Sequence, residues 1–368
     1  MRILRLFVIN VSISRNLHHL VKLVTIGCQI LKAKVLHKRI PIVVSIHVTN
    51  KCNLRCKYCY SNSDGRFDAP PEDFSTTELK AYLAEMKRLG TRWIIFLGGE
   101  PMLRKDIGIL IHHVNNLGML SELVTNGTLI EENIKKIKDV DLLCISLDGG
   151  VVSNDAVRGK GSFKKVLKGL EIVTSYGIKT RIHAVITRFN ANHHDVNVLA
   201  EIATRLGTSF GFSNPITTDQ DSLKQGEYVL NGPDLHSFMD LVKHYKANRK
   251  PVYNSRAALD FASAKPRRML LARGHSNENG SPVMKKKCFA GDRFCYVDSE
   301  GFVYPCIETG IKTGLNIRDV GFKKAFDHLK NIPCTGCNHI QYFEANDILD
   351  MNWAGLKLGL YTLLRWSS

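Results

Sequence analysis

Val48-Thr-Asn-Lys-Cys52-Asn-Leu-Arg-Cys56-Lys-Tyr58-Cys59-Tyr60 is the stretch on which the reading of this chain depends. Its cysteines are spaced C-x3-C-x2-C, with an aromatic residue, Tyr58, just before the last of them. Three thiolates on one short loop can hold three corners of a cubane iron–sulfur cluster, and the fourth iron then lacks a local protein ligand. An open iron can take up a substrate or a cofactor, so the loop reads as a reaction centre rather than a plain electron carrier. Taken alone, the same spacing would also suit a zinc knuckle.

Working outward, the residues just before the loop, Ile42–Val48, are a short apolar run with strand character. Further strand candidates are Trp93–Leu97, Glu122–Thr125, Leu142–Ser146, Thr180–Ile186 and Ser209–Ser213. Helical patterns lie between them, at Thr76–Leu89, Asp106–Leu117, Glu131–Ile137, Ser162–Tyr176 and Asn192–Leu206. Gly90, Gly118, Gly177 and Gly207 follow helical patterns, where C-terminal stops belong. Strands alternating with helices predict an α/β fold, an incomplete (β/α)6 barrel over residues 41–215. Loops after the strands form the active face of such barrels, and the cysteine loop follows the first strand.

Other motifs fall on the same face. After the second strand comes Gly98-Gly99-Glu100-Pro101. The glycines permit close backbone approach, and the carboxylate can accept hydrogen bonds from an ammonium group. Thr125-Asn126-Gly127 follows the third strand, and Ser146-Leu147-Asp148-Gly149 the fourth. Arg158 stands before Gly159-Lys160-Gly161-Ser162-Phe163. Together with the cysteine loop, this order resembles the radical S-adenosylmethionine (SAM) superfamily. The resemblance implies that Cys52, Cys56 and Cys59 bind a [4Fe–4S] cluster whose open iron chelates SAM. It implies SAM contacts from Gly98, Gly99 and Glu100 to the amino group, from Ser146 to ribose or carboxylate, and from Arg158 to the carboxylate. Val185 and Thr187 would line the adenine pocket, and Asp148 would order its loop.

A second cysteine group occupies residues 286–345. Tyr296 to Cys306 reads as a β-hairpin that delivers a cysteine at its end, and Cys334-Thr-Gly-Cys337 follows. Cys288, Cys306, Cys334 and Cys337 make a closed set for a second cluster, and four cysteines of this kind also satisfy zinc. Cys295 either replaces Cys288 or is a spare thiol. The group resembles the auxiliary-cluster domain called SPASM, or its shorter Twitch relative, and implies one auxiliary [4Fe–4S] cluster. Residues 216–285 read as a bridging region, with a helix at Pro233–Asn248.

The chain has 368 residues, 44% hydrophobic, with a formal net charge of +17. That is room for a large domain and a smaller one. The ten cysteines are too sparse for a disulfide scaffold and point to a reducing compartment. Isolated Cys28 and Cys144, in apolar surroundings, read as buried thiols. Residues 1–63 lack any Asp or Glu. Their basic residues alternate with Leu, Ile and Val rather than with aromatics, which fits an anionic membrane surface at least as well as a nucleic acid. Residues 1–40 predict a basic amphipathic segment, and 346–368 an apolar, basic tail. No stretch reaches the roughly 20 apolar residues of a membrane span, and Leu6–Ile13 lacks a signal-peptide cleavage site. The expectation is a cytoplasmic radical SAM enzyme, peripheral to a membrane at most. Its partners would be SAM, a ferredoxin or flavodoxin reductant, and a peptide or lipid-like substrate. The competing class is an iron–sulfur or zinc protein that binds nucleic acid or carries electrons without SAM chemistry.

Overall fold

The predicted βα alternation is present as one sheet. The computed structural model describes residues 2–59, 72–216, 228–230, 232–263, 288–307, 314–332 and 339–352, with side chains from position 17 onward. Cys334, Cys337 and the tail from 353 lie outside these residues.

After a long helix α1 (Arg2–Val35), the chain runs β1 (Val43–His47), α2 (Thr76–Leu89), β2 (Trp93–Leu97), α3 (Ile107–Asn116), β3 (Leu120–Thr125) and α4 (Ile130–Ile137). It continues β4 (Leu142–Ser146), α5 (Val151–Arg158), α6 (Ser162–Ser175), β5 (Thr180–Val185), α7 (His193–Arg205) and β6 (Ser209–Ser213). Then come α8 (Gly232–Ala247), α9 (Arg256–Ser263), β7 (Phe294–Val297), β8 (Val303–Tyr304), α10 (Ile317–His328) and α11 (Ile340–Asp350). The strand order is β6-β5-β4-β3-β2-β1-β7-β8. β1 to β6 are mutually parallel, and β7 pairs in parallel with β1 while turning back onto β8. The expected hairpin is therefore a continuation of the barrel sheet, which it extends beyond β1.

Register explains which side of the sheet carries chemistry. Phe96 pairs with Leu123, Leu123 with Leu143, and Ile145 with Ile182, so these residues share a face. They are buried in the core among the helices. The opposite, inner face carries Ser45, Glu122, Cys144, Ser146, Arg181, His183, Ser213 and Tyr296. One face is thus apolar and packed, and the other is polar (the alternation that a period of two allows).

α1 crosses the amino ends of the strands. Lys22 Nζ pairs with Asp141 at 2.6 Å and bonds Asn115 at 3.0 Å, and His19 Nε2 is 2.8 Å from Asp141. Burial raises the Asp141 pKa, but the His19 bond and the Lys22 charge outweigh it and bring it to about 2. Ile26, Ile30 and Ala33 complete the buried side. Cys28 does not join them and is exposed, contrary to its apolar sequence neighbours. A helix turns by a fixed angle at each residue, so chain neighbours land on different faces. Cys144 is buried as expected.

Glu344 in α11 yields a stability prediction. It caps α9 by accepting from Ser255 N at 2.6 Å. Burial pushes its carboxyl up to about 7, against the opposing pull of that N–H. A folded pKa above the unfolded one stabilises fully below pH 4.5, and the contribution is lost as pH rises through 7. The loss is about 3 kcal/mol. In urea titrations from pH 5 to 8, wild type should lose stability relative to Glu344→Gln, which keeps an acceptor oxygen. Parallel curves would refute this.

Candidate functional site

The cysteine loop leaves the carboxyl end of β1, and neighbouring loops brace it. Cys52, Cys56 and Cys59 are half-buried, and no described cysteine is in a disulfide. Leu54 N donates to Cys52 Sγ at 3.4 Å, and Cys59 N to Cys56 O at 3.1 Å. Asn53 bonds Thr128 and Asn126 of the loop after β3, each at 2.9 Å. Burial raises the Cys52 thiol, and it raises Cys56 to about 12 against the pull of Arg158. Such thiols ionise once a cation compensates their desolvation. An all-sulfur donor set, with an N–H already aimed at one sulfur, fits an iron–sulfur cluster. Among the described residues no three Cys, His, Asp or Glu side chains converge as ligands of a single ion would.

Gly98 and Gly99 sit against protein backbone. A Cβ on Gly98 would stand 2.3 Å from Thr49 O, and one on Gly99 would stand 2.2 Å from Lys51 O. Gly98 also has a φ of 151°. Gly99 N and Glu100 N donate to Thr49 O and Lys51 O, both at 2.8 Å. The pair therefore clamps the stem of the cysteine loop. Glu100 is fully buried and accepts from Met102 N (3.0 Å), Thr125 Oγ1 (2.8 Å) and Asn126 N (2.8 Å). Burial pushes its carboxyl up to about 7 despite these donors. It ties the loop after β2 to the loop after β3. Gly99→Ala should force these backbones apart and cost 1–3 kcal/mol, roughly the scale of overpacking. A denaturation midpoint equal to wild type would show that the clamp is slack.

Asp148 is the hub of the site. Its carboxylate accepts from Arg158 Nε (2.7 Å) and Nη2 (3.1 Å), Tyr58 Oη (2.6 Å) and Val185 N (2.9 Å). Asp148 is fully buried, Arg158 is 6% exposed, and the guanidinium lies 5.6 Å from the Tyr58 ring centre. Lys57 N adds a 3.0 Å bond to Val157 O. One carboxylate thus joins the cysteine loop, α5 and β5. The sequence gives Asp148 a loop-ordering role but not this reach, and Tyr58 is the signal that could have exposed it. Ser146 ends β4 on the inner face, level with His183. Thr187 is fully buried and gives its N–H and hydroxyl to Asn190.

Below this rim, the inner face carries a polar network. Arg181 pairs with Glu122, and His183 bonds Tyr253 Oη, Ser213 Oγ (2.8 Å) and Gln341 Nε2 (3.2 Å). Burial, then the Arg181 charge, lowers His183 to about 3, which keeps its imidazole neutral. Of the C-terminal cysteines, Cys288, Cys295 and Cys306 are among the described residues. Asn346 Nδ2 donates to Cys288 Sγ at 3.6 Å, and Cys306 is buried just past β8. Cys295 lies in β7 at the position paired with Val44, on the packed face, and burial raises its thiol strongly. It faces away from the polar side.

Three comparisons bear on this geometry. Residues 46–201 match the family model described as the radical SAM superfamily. The AdoMet-dependent heme synthase of Nitratidesulfovibrio vulgaris is 30% identical over 302 residues, which cover 76% of this chain and 77% of that protein. The mycofactocin maturase MftC of Mycolicibacterium smegmatis is 28% identical over 341 residues, covering 86% and 81%. In fold, the chain is similar to native anSMEcpe, solved with bound AdoMet and a peptide. The TM-score is 0.60 at 19% identity, over 89% of this chain and 99% of that one.

Proposed function

This chain belongs to the radical SAM superfamily, and we propose that it applies that chemistry to a peptide substrate bound on the polar inner face of its barrel. The family chemistry is reductive cleavage of SAM at a [4Fe–4S] cluster to a 5′-deoxyadenosyl radical, with an auxiliary cluster in SPASM-type members. In this proposal Cys52, Cys56 and Cys59 hold the SAM-binding cluster. Cys288 and Cys306, with Cys334 and Cys337, hold the auxiliary one. Gly98 and Gly99 shape the SAM pocket by fixing the cysteine-loop stem. Glu100 and Arg158 face SAM from positions that Thr125, Asn126 and Asp148 hold rigid, with Ser146 beside them.

One observation favours a peptide over a lipid. The inner face carries Ser146, His183 and Ser213 toward the carboxyl ends, where the cysteine loop sits, with Ser45, Glu122 and Arg181 deeper in. Most of these groups are buried and bonded to one another, so the face offers an acyl chain little apolar surface to bury. A peptide, which carries its own donors and acceptors, suits a polar wall better. Native anSMEcpe, similar in fold, was solved with a bound peptide.

The proposal also includes a reducing cytoplasm, peripheral contact with a membrane surface, and a ferredoxin- or flavodoxin-type reductant. An acidic carrier would be steered toward a chain of net charge +17. No described helix is long and apolar enough to cross a membrane. The test is dithionite-reduced, reconstituted protein with SAM and deuterated candidate precursor peptides. Label should move from peptide into 5′-deoxyadenosine. Label that moves only from a lipid or a heme precursor would replace the peptide reading.

A further inference from the structure

α1 carries the largest group of exposed apolar side chains among the described residues. Leu17, Leu20, Val21, Val24, Leu31 and Val35 are each 47% to 64% exposed. Their spacings of three, four and seven residues, with Leu20 and Val21 adjacent, keep them on one side of the helix as one stripe. The stripe lies opposite His19, Lys22, Ile26, Ile30 and Ala33, which are buried against the barrel. Lys32 and Lys38 are exposed beside it, and no acidic residue occurs before position 64. The buried side of α1 fixes its place. Lys22 reaches Asp141, just ahead of β4, so the helix crosses the amino ends of the strands. The cysteine loop and α5 follow the carboxyl ends.

We infer that α1 docks this stripe on an anionic lipid bilayer, so that the mouth of the barrel faces the water and not the lipid. Charge complementarity selects the occupant: an apolar stripe beside Lys32 and Lys38, on a helix that carries no acidic residue of its own, although Lys34 pairs with Asp350, matches a phosphatidylglycerol-type surface. The orientation follows from the fold, because stripe and mouth lie at opposite ends of parallel strands. It deepens the peripheral contact proposed above, and it makes the peptide substrate one delivered from solution.

The test uses the full, reconstituted chain and vesicles of phosphatidylcholine with or without phosphatidylglycerol. Wild type should sediment with the anionic vesicles only, and less at high salt. Val24→Glu/Leu31→Glu, at exposed positions, should keep iron and circular dichroism but lose about tenfold or more in binding. Val24→Trp fluorescence, read against wild type, should be quenched by doxyl-labelled lipid. Val152→Trp, on the mouth side and 79% exposed, should not be. Charge-independent binding, an unaffected double-glutamate variant, or quenching at Val152 would each overturn the inference. So would a wild type that stays in the supernatant, as it would if residues 353–368 cover the stripe. 5′-Deoxyadenosine measured without vesicles keeps the two readings apart. Its absence condemns the site reading and leaves docking untouched.

Discussion

Replacing Cys52, Cys56 and Cys59 together with alanine should leave protein that makes no 5′-deoxyadenosine and keeps about four of eight irons. The loss should be complete because no described cysteine outside the loop is placed to stand in for it. Cys28 lies on the outward side of α1, Cys144 lies deeper on the inner face, and Cys295 lies on the packed face. The four irons that remain should be those of the proposed auxiliary cluster, which draws on the C-terminal cysteines. The measurements are metal content after anaerobic reconstitution and chromatography of SAM products. Stoichiometric zinc with four irons or fewer in wild type would end the two-cluster reading. SAM cleavage by the triple variant would end the assignment of the loop.

Asp148→Leu should be the most damaging single change at a residue outside the cysteines. It leaves the Arg158 guanidinium buried without its carboxylate, a defect that costs about 3–5 kcal/mol. It also frees Tyr58 and the Val185 N–H. Adding Arg158→Met removes the stranded charge, so the double variant should recover part of the stability, as coupled neighbours do. SAM cleavage should stay low in both, because Tyr58 has lost its anchor beside Cys59. Denaturant midpoints and 5′-deoxyadenosine rates check this together. If the second substitution adds its full independent cost, the pair is not coupled in the way its geometry implies.

The strands and most helices were legible because their signals are local. Trp93–Leu97, Leu142–Ser146 and Ser209–Ser213 stand where their apolar runs put them. Gly90, Gly118, Gly177 and Gly207 all adopt positive φ, as helix stops do. The membership of the C-terminal hairpin in the barrel sheet was not legible, since Val43 pairs with Phe294 across a register that no periodicity records. α5 was missed because eight residues beside a glycine-rich motif give too short a pattern. At the site, the residue types were legible but their partners were not. Gly-Gly-Glu reads equally well as a ligand cradle and as a brace, and only coordinates show Thr49 and Lys51 pressed against the glycines. The Asp148 hub joins positions 58, 158 and 185, and a sequence cannot show such a meeting.

The β1–β7 pairing has a consequence for how the protein is made. The strand that leads into the cysteine loop completes its hydrogen bonds on one side only when residue 294 arrives. Translation at about 5–20 residues per second makes that wait roughly 12 to 50 seconds. Throughout it, β1 is an unpaired edge, the kind of surface that recruits other chains. Iron supplied during this interval meets a loop whose base is still open. Slower synthesis at low temperature lengthens the exposure, so co-expressed chaperones that shield the β1 edge should raise the yield of folded protein.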